Sequence, residues 1–189
     1  QLAVLERGGL LERLEDADDP QIGDLQFSAF LSPSEPGPGG PIWGVGTILQ
    51  APTNTDDNLG NKNWGLGPTA VVLKLEQGSP WVYGVLANNV WSLSSSKAGG
   101  RYNNFLMQPF VNYNFPGGLY LNSGPVVTAN WEADSSQRWT VPLGGGIGKI
   151  FHLGRLPVNT QFGAYYNVVH PDDGASWQLR VQVQFMFPK

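Results

Sequence analysis

Two histidines and three serines are the residues of this chain whose chemistry could support catalysis. A Ser–His–Asp hydrolase would need a serine that reaches His152 or His170 from another strand. His170 precedes Pro-Asp-Asp, which is ordinary turn composition. The candidate nucleophiles are Ser135, Ser136 and Ser176, and no neighbouring residue marks one of them as activated. We therefore predict that the chain is not an enzyme. A hydrolase is kept as an alternative that His170→Ala would test.

Oxygen ligands for a cation are available at Asp56–Asp57–Asn58. This stretch lacks the spacing and the distal bidentate Glu of an EF-hand loop, so a polar turn is the favoured interpretation. The glycines at 44–46 and 144–148 are not followed by Lys-Ser/Thr, and no helix is predicted after them, so they do not indicate a nucleotide loop. Cysteine is absent, which removes thiolate ligands. We predict no metal and no cofactor.

Charge and composition narrow the class of partner. The formal net charge is −4 and no Lys/Arg cluster is present, which argues against nucleic acid because phosphate contacts need clustered cations. Charged residues make up only 14% of the chain, whereas tryptophan occurs 7 times. Low charge with abundant aromatic residues is typical of a surface that meets lipid. No apolar run approaches the roughly 18 residues of a membrane-spanning helix.

The final strand shows the clearest pattern in the chain. Side chains on a strand alternate between two faces, and residues 177–187 alternate without a break. Their length matches the roughly 9–11 residues of a membrane-crossing strand. We predict a lipid-facing set on one face: Trp177, Leu179, Val181, Val183, Phe185 and Phe187.

Nine strands separated by turn residues are predicted from Gln21 onward. One of these turns is a tight Pro-Gly-Gly turn at 116–118. Short connections predict that successive strands pair antiparallel. Tryptophans gather near strand ends, where an amphipathic ring suits a membrane–water boundary. The predicted ranges are 23–32, 41–51, 67–77, 80–93, 102–115, 118–132, 137–150, 156–170 and 175–187. The fold class is therefore all-β, an antiparallel up-and-down transmembrane β-barrel spanning residues 21–189.

Amides and tyrosines on the opposite face are the predicted lining of the lumen. Neutral amides with a single arginine would give little ion selectivity, and the tyrosines could stack on an aromatic solute. Simple filling of the interior is an equally good interpretation of both. The lining candidates are Gln108, Asn112, Tyr120, Asn122, Asn159, Gln161, Tyr165, Asn167, Gln178, Arg180, Gln182 and Gln184.

Residues 1–20 differ from the rest of the chain because they are acidic and interrupted by Gly8 and Gly9. We predict a flexible or weakly helical extension there. Bacterial single-chain barrels have an even number of strands, so a count of nine is unusual. Either this count is off by one or strands are missing. We favour missing N-terminal strands, because the acidic segment cannot replace a strand.

From about Gly23 to Lys189 the chain resembles a family of bacterial outer-membrane β-barrels labelled "transporter" or "MetA-pathway of phenol degradation", and mislabelled neuromedin U. The segments that carry the resemblance are GDLQFSAFLSP (23–33), IWGVGTILQAPTNTDDNLGNKNWGLGPTAVVLK (42–74), WVYGVLANNVWS (81–92), FLMQPFVNYNF (105–115), QRWTVPLGGGIGKI (137–150) and VQVQFMFPK (181–189). The resemblance implies a bacterial outer-membrane location, a lipid bilayer as partner and passage of small hydrophobic or aromatic solutes.

Two other classes of function remain open at this point. A structural or adhesive surface barrel would act through its loops, and substitutions in residues 51–68 would then matter most. A soluble β-barrel or sandwich would carry a ligand inside. It would need no detergent, and it would bury Trp177, Val181 and Phe185 within protein.

Overall fold

The computed structural model describes residues 24–33, 40–55, 61–75, 78–94, 100–154 and 156–186. These residues form ten strands in one antiparallel sheet, which confirms the all-β antiparallel class. The acidic extension at 1–20, the Asp56–Asp57–Asn58 stretch and Phe187 lie outside the described residues. The part of the chain described contains no helix long and apolar enough to cross a membrane.

The strands follow one another along the sheet in chain order, as expected for short connections. β6 and β7 share one position in that order, because both pair with β5 and with β8. Their bounds are β1 Leu25–Leu31, β2 Ile42–Ala51, β3 Gly65–Leu75, β4 Trp81–Ser92, β5 Asn103–Asn114, β6 Leu119–Ser123, β7 Val127–Asn130, β8 Trp139–Leu153, β9 Leu156–Val169 and β10 Trp177–Phe185.

The predicted strand at 118–132 is interrupted, and proline explains why. Val111 pairs with Ser123 and Met107 with Val127, so the register places Pro125 opposite Pro109. Proline has no backbone N–H and cannot donate to a strand ladder. Two facing prolines therefore leave residues 124–126 without ladder pairing, and one predicted strand becomes β6 and β7. The nine predicted strands correspond to nine positions across the sheet.

The connections at the two ends of the sheet differ in length. Residues 32–41, 76–80, 115–118 and 154–155 join strands at one end, here called the turn end. Residues 52–64, 93–102, 131–138 and 170–176 join them at the other, here called the loop end. The turn end includes Gly117 and Gly118, whose φ values of 85° and 83° suit glycine, as the predicted Pro-Gly-Gly turn requires.

The sheet has two edges, β1 and β10. In the described residues β1 pairs with β2 and β10 pairs with β9, and no pairing joins β1 to β10. Both edge strands run from the loop end to the turn end. Pairing them directly would therefore bring two parallel strands together. Barrel closure stays a prediction.

Candidate functional site

The inner face of the sheet is defined by a row of directly paired residues across four strands. Tyr120 pairs with Gly148, Gly148 with Gln161, and Gln161 with Gln182. Residues directly opposite in an antiparallel ladder project from the same face. The twelve predicted lining residues all lie on described strands, and the register brings β6, β8, β9 and β10 together on this face.

Tyr120 crosses the strand next to its own. Its hydroxyl donates to Asn159 Oδ1 at 2.9 Å and lies 3.3 Å from Gln161 Oε1, although β8 separates β6 from β9. The ring passes over Gly148, where an added Cβ would lie 2.1 Å from Tyr120 Cζ. The Tyr120 ring can lie in this position only because residue 148 has no side chain. Tyr120 is only 8% exposed there.

The backbone of Gly124, in the gap between β6 and β7, bonds to side chains from three other strands. Its N–H donates to the Tyr165 hydroxyl at 3.2 Å. Its carbonyl accepts from Arg180 Nη1 at 3.1 Å and from Gln108 Nε2 at 3.4 Å. Buried backbone groups without a partner are costly, and Gly124 has no ladder partner in the described structure, so these side chains satisfy its N–H and its carbonyl. Three predicted lining residues thus converge on the backbone of one residue.

The contact between Gly124 and Arg180 gives the shape of this part of the sheet. β8 and β9 lie between β6 and β10, so three strand spacings of about 4.8 Å separate the two backbones by roughly 14 Å along the surface. An arginine side chain on a flat sheet would not reach that far. The contact therefore requires curvature toward the inner face, with Gly124 projecting from the gap.

Arg180 carries the charge of the inner face. The charged side chains on described strands are Lys74, Lys149 and Arg180, and the two lysines lie on the opposite face. The Arg180 guanidinium carbon lies 5.0 Å from the centroid of the Tyr165 ring, a cation–π distance. Tyr165 is 1% exposed, so the ring is a fixed support for the cation.

The amides nearest the loop end hold the turn between β9 and β10. Asn167 Nδ2 donates to the Ala175 carbonyl at 2.6 Å, and Gln178 Nε2 donates to Asn167 Oδ1 at 2.9 Å. Both lining candidates therefore have a positioning role in the fold.

The remaining lining candidates are less constrained. Asn112 pairs with Asn122, whose Oδ1 is buried without a hydrogen-bond partner in the described structure. Gln182 and Gln184 are exposed on the edge strand.

The outer face carries large apolar side chains in an unbroken row across six strands. Opposite-residue pairing links Trp81, Tyr113, Leu121, Ile147, Phe162 and Val181. Five of these six are exposed, with Phe162 at 52% and Val181 at 59%. Monomeric soluble proteins rarely expose a contiguous apolar surface of this kind.

Five of the six predicted lipid-facing residues lie on this outer face and are exposed. They are Trp177, Leu179, Val181, Val183 and Phe185. The soluble-barrel alternative predicted that Trp177, Val181 and Phe185 are buried in protein. None of the three is buried within the described structure.

Aromatic residues border the outer face at both ends. At the turn end Tyr113 contacts both Trp81 and Phe115, with ring centroids 4.8 Å apart in each pair. Phe105, Trp131 and Trp139 cluster at the loop end, where Arg138 lies over the Trp131 ring at 5.6 Å. The outer face is therefore an apolar band with two aromatic borders.

The distance between the two aromatic borders can be estimated from the length of β4, which carries a tryptophan near each end. Trp81 and Trp91 lie on the same face ten residues apart, and about 3.4 Å per residue gives roughly 34 Å along the strand. A strand tilted by about 35–45° would reduce this to a height of roughly 24–28 Å, close to the ~25 Å apolar band of outer-membrane barrels.

A polar cluster at the loop end anchors the start of β1. Asp24 accepts from Gln50 Nε2 and from the Asn61 backbone N–H, both at 2.7 Å. Nearby, the Tyr102 hydroxyl donates to the Asn63 carbonyl at 2.9 Å. Burial raises the pKa of Tyr102 to about 12, and the negative charge of Asp24 adds to the rise. Sequence reasoning missed this cluster because its members are far apart in the chain.

The residues considered for catalysis do not form a triad in the described structure. His170 Nδ1 lies 2.7 Å from the carbonyl oxygen of Pro171, and no hydrogen bond joins it to a serine there. Ser135, Ser136 and Ser176 are exposed in loop-end connections, and His152 is exposed near the turn end.

Comparison with known proteins finds no matching family model, no matching curated protein and no matching solved structure. The relationship to the outer-membrane family therefore stays a prediction carried by the sequence segments quoted above.

Proposed function

We propose that the chain is a bacterial outer-membrane β-barrel that lets small hydrophobic or aromatic compounds pass along its inner face. The observation that carries this proposal is the unbroken apolar row from Trp81 to Val181, of whose six residues five are exposed. In a membrane this row would contact lipid, so its exposure would be favourable.

The two aromatic borders and the unequal connections support the same assignment. Trp and Tyr are enriched at both membrane–water boundaries, and bacterial barrels have short periplasmic turns and longer extracellular loops. On this basis the turn end would face the periplasm and the loop end the exterior. Unpaired strand edges are costly in lipid, so the proposal also requires that β1 and β10 are both paired in the membrane.

Adjacent residues on β10 provide the test of membrane insertion. Val181 and Gln182 are both exposed but lie on opposite faces. Val181→Lys should destabilise the protein folded in lipid vesicles by about 2–4 kcal/mol, the cost of a lysine on the lipid face near mid-depth. Gln182→Lys is the matched control and should fold like the parent.

Folding would be followed by circular dichroism and by heat-modifiable gel migration. Equal effects of the two lysines, or a monodisperse β-rich protein in buffer without amphiphile, would overturn the membrane assignment.

Passage of solutes requires a separate test, because insertion alone does not show a pathway. Replacing Gln108, Asn159 and Gln182 together by Ala removes three amides from the inner face. The flux of small aromatic solutes into vesicles should change while folding is retained. Unchanged flux would contradict the proposed pathway.

A further inference from the structure

Arg180 is a cation on the inner face with no anionic partner in the described part of the chain. Its Nη1 donates to the Gly124 carbonyl, which is a neutral acceptor, and its guanidinium lies against the Tyr165 ring. A guanidinium has five N–H donors, and only one hydrogen bond from Arg180 is formed with described residues. Within the described residues, the remaining donors and the positive charge have no partner, which leaves them open to a ligand there.

The surroundings of Arg180 combine this charge with apolar surface. Phe110 lies on the inner face beside Gly124, since a Cβ added to Gly124 would lie 3.7 Å from Phe110 Cβ and 4.0 Å from Arg180 Nη1. Side chains of β5, β9 and β10 meet at this point. A solute that moves along the inner face would therefore pass this cation where side chains of three strands meet.

We propose that Arg180 selects for small anionic aromatic solutes, by binding their carboxylate or sulfonate group while the ring contacts Phe110. This assignment rests on the proposed passage of solutes. One arginine gives little selectivity in a wide pore, but its effect is strong where the solute must come close, because Coulomb energy rises as the separation falls. Arginine is also suited to such groups, because its fork of N–H donors can bind two oxygens of one carboxylate or sulfonate.

Three solutes with one phenyl ring separate charge from size. Benzenesulfonate is a permanent anion, trimethylphenylammonium is a permanent cation, and phenyl glucoside is neutral. The full chain would be inserted into vesicles and the entry rate of each solute measured. We expect benzenesulfonate to enter faster than trimethylphenylammonium.

Arg180→Gln should lower the ratio of the two rates by roughly 3- to 10-fold, the range expected for one partly screened charge at close approach. Glutamine removes the charge and keeps a polar side chain, but its amide nitrogen ends two bonds short of the Arg180 Nη1 position that bonds to Gly124. Arg180→Lys should keep most of the preference.

Lys149→Gln is the matched control, because it removes one positive charge from the exposed outer face. It should leave the ratio unchanged. Folding of each variant would be checked by heat-modifiable migration.

Asn122→Asp is a second variant that retains Arg180. It adds a carboxylate in the row of paired residues that runs through Gly146 and Gly163 to Arg180. It should also lower the preference.

The outcomes separate this assignment from the function it rests on. The role of Arg180 alone is overturned if phenyl glucoside enters and the two ions enter at equal rates. It is also overturned if the preference for benzenesulfonate survives both Arg180→Gln and Asn122→Asp. Failure of all three solutes to enter overturns the pathway as well.

Discussion

The Tyr120 hydroxyl donates a hydrogen bond to Asn159 Oδ1 at 2.9 Å across an intervening strand. The tyrosine belongs to β6 and the asparagine to β9, and Gly148 of β8 lies beneath the ring. One glycine thereby lets two strands that are not neighbours interact directly. The link joins β6 to β9 near the turn end of the inner face.

Adding a methyl group at Gly148 should break this link. Gly148→Ala should lower the free energy of unfolding by about 1–3 kcal/mol, because the new Cβ overlaps the Tyr120 ring. Urea unfolding of the protein in detergent micelles would measure the loss. Gly44→Ala is the control, since its nearest contact would be an ordinary 3.4 Å. Equal stability of the two variants would contradict this role for Gly148.

The tyrosine hydroxyl can be tested separately from the ring. Tyr120→Phe should cost about 1 kcal/mol because it removes the hydrogen bond to Asn159. In the Asn159→Ala background the same change should cost less, and the difference measures the coupling of the pair. Additive losses would show that the hydrogen bond contributes nothing to stability.

Alkaline pH should destabilise the loop end through Tyr102. Its pKa is about 12 in the folded protein against an ordinary 10.0, so the folded state holds the proton more tightly. The stabilisation is fully present below about pH 10 and is lost as pH rises toward about 12. Unfolding midpoints measured across this window should fall, and Tyr102→Phe should make the fall shallower. An identical slope in the variant would contradict this assignment.

The aromatic borders should behave as two independent clusters. Trp81 and Tyr113 are in edge-to-face contact, so a double-mutant cycle to Ala should give a coupling of about 0.5–1.5 kcal/mol. Trp81 and Trp91 are ten residues apart on one strand, and their effects should add within about 0.5 kcal/mol. Stability in lipid vesicles is the quantity to measure. Strong coupling between Trp81 and Trp91 would contradict two separate borders.

Asp24 should anchor the described residues Asn54 and Asn61 of the β2–β3 connection to the start of β1. Its carboxylate accepts from Gln50 and Asn61, and hydrogen bonds to a charged group contribute about 1.5–3 kcal/mol. Asp24→Ala should speed proteolytic cleavage between residues 52 and 64 and lower stability by about that amount. Asp173→Ala removes an exposed turn carboxylate and serves as the control. Equal cleavage rates in both variants would argue against the anchor.

Local sequence patterns predicted most of the strands. Alternation at 177–187 predicted β10 with both of its faces, and the Pro-Gly-Gly stretch predicted the turn between β5 and β6. These predictions succeed because side-chain alternation and turn geometry depend on neighbouring residues. The break between β6 and β7 was missed. It depends on Pro109 facing Pro125, and that facing exists only once the register is known.

The sequence by itself determined the all-β class, the order of strands, and which side chains share a face with Arg180 or with Val181. Each of these follows from a period of two and from short connections. Only the tertiary structure decided that Arg180 reaches Gly124, that Tyr120 reaches Asn159, and that Asp24 meets Asn61. These contacts depend on the curvature and register of the whole sheet, which bring together residues that no local pattern connects.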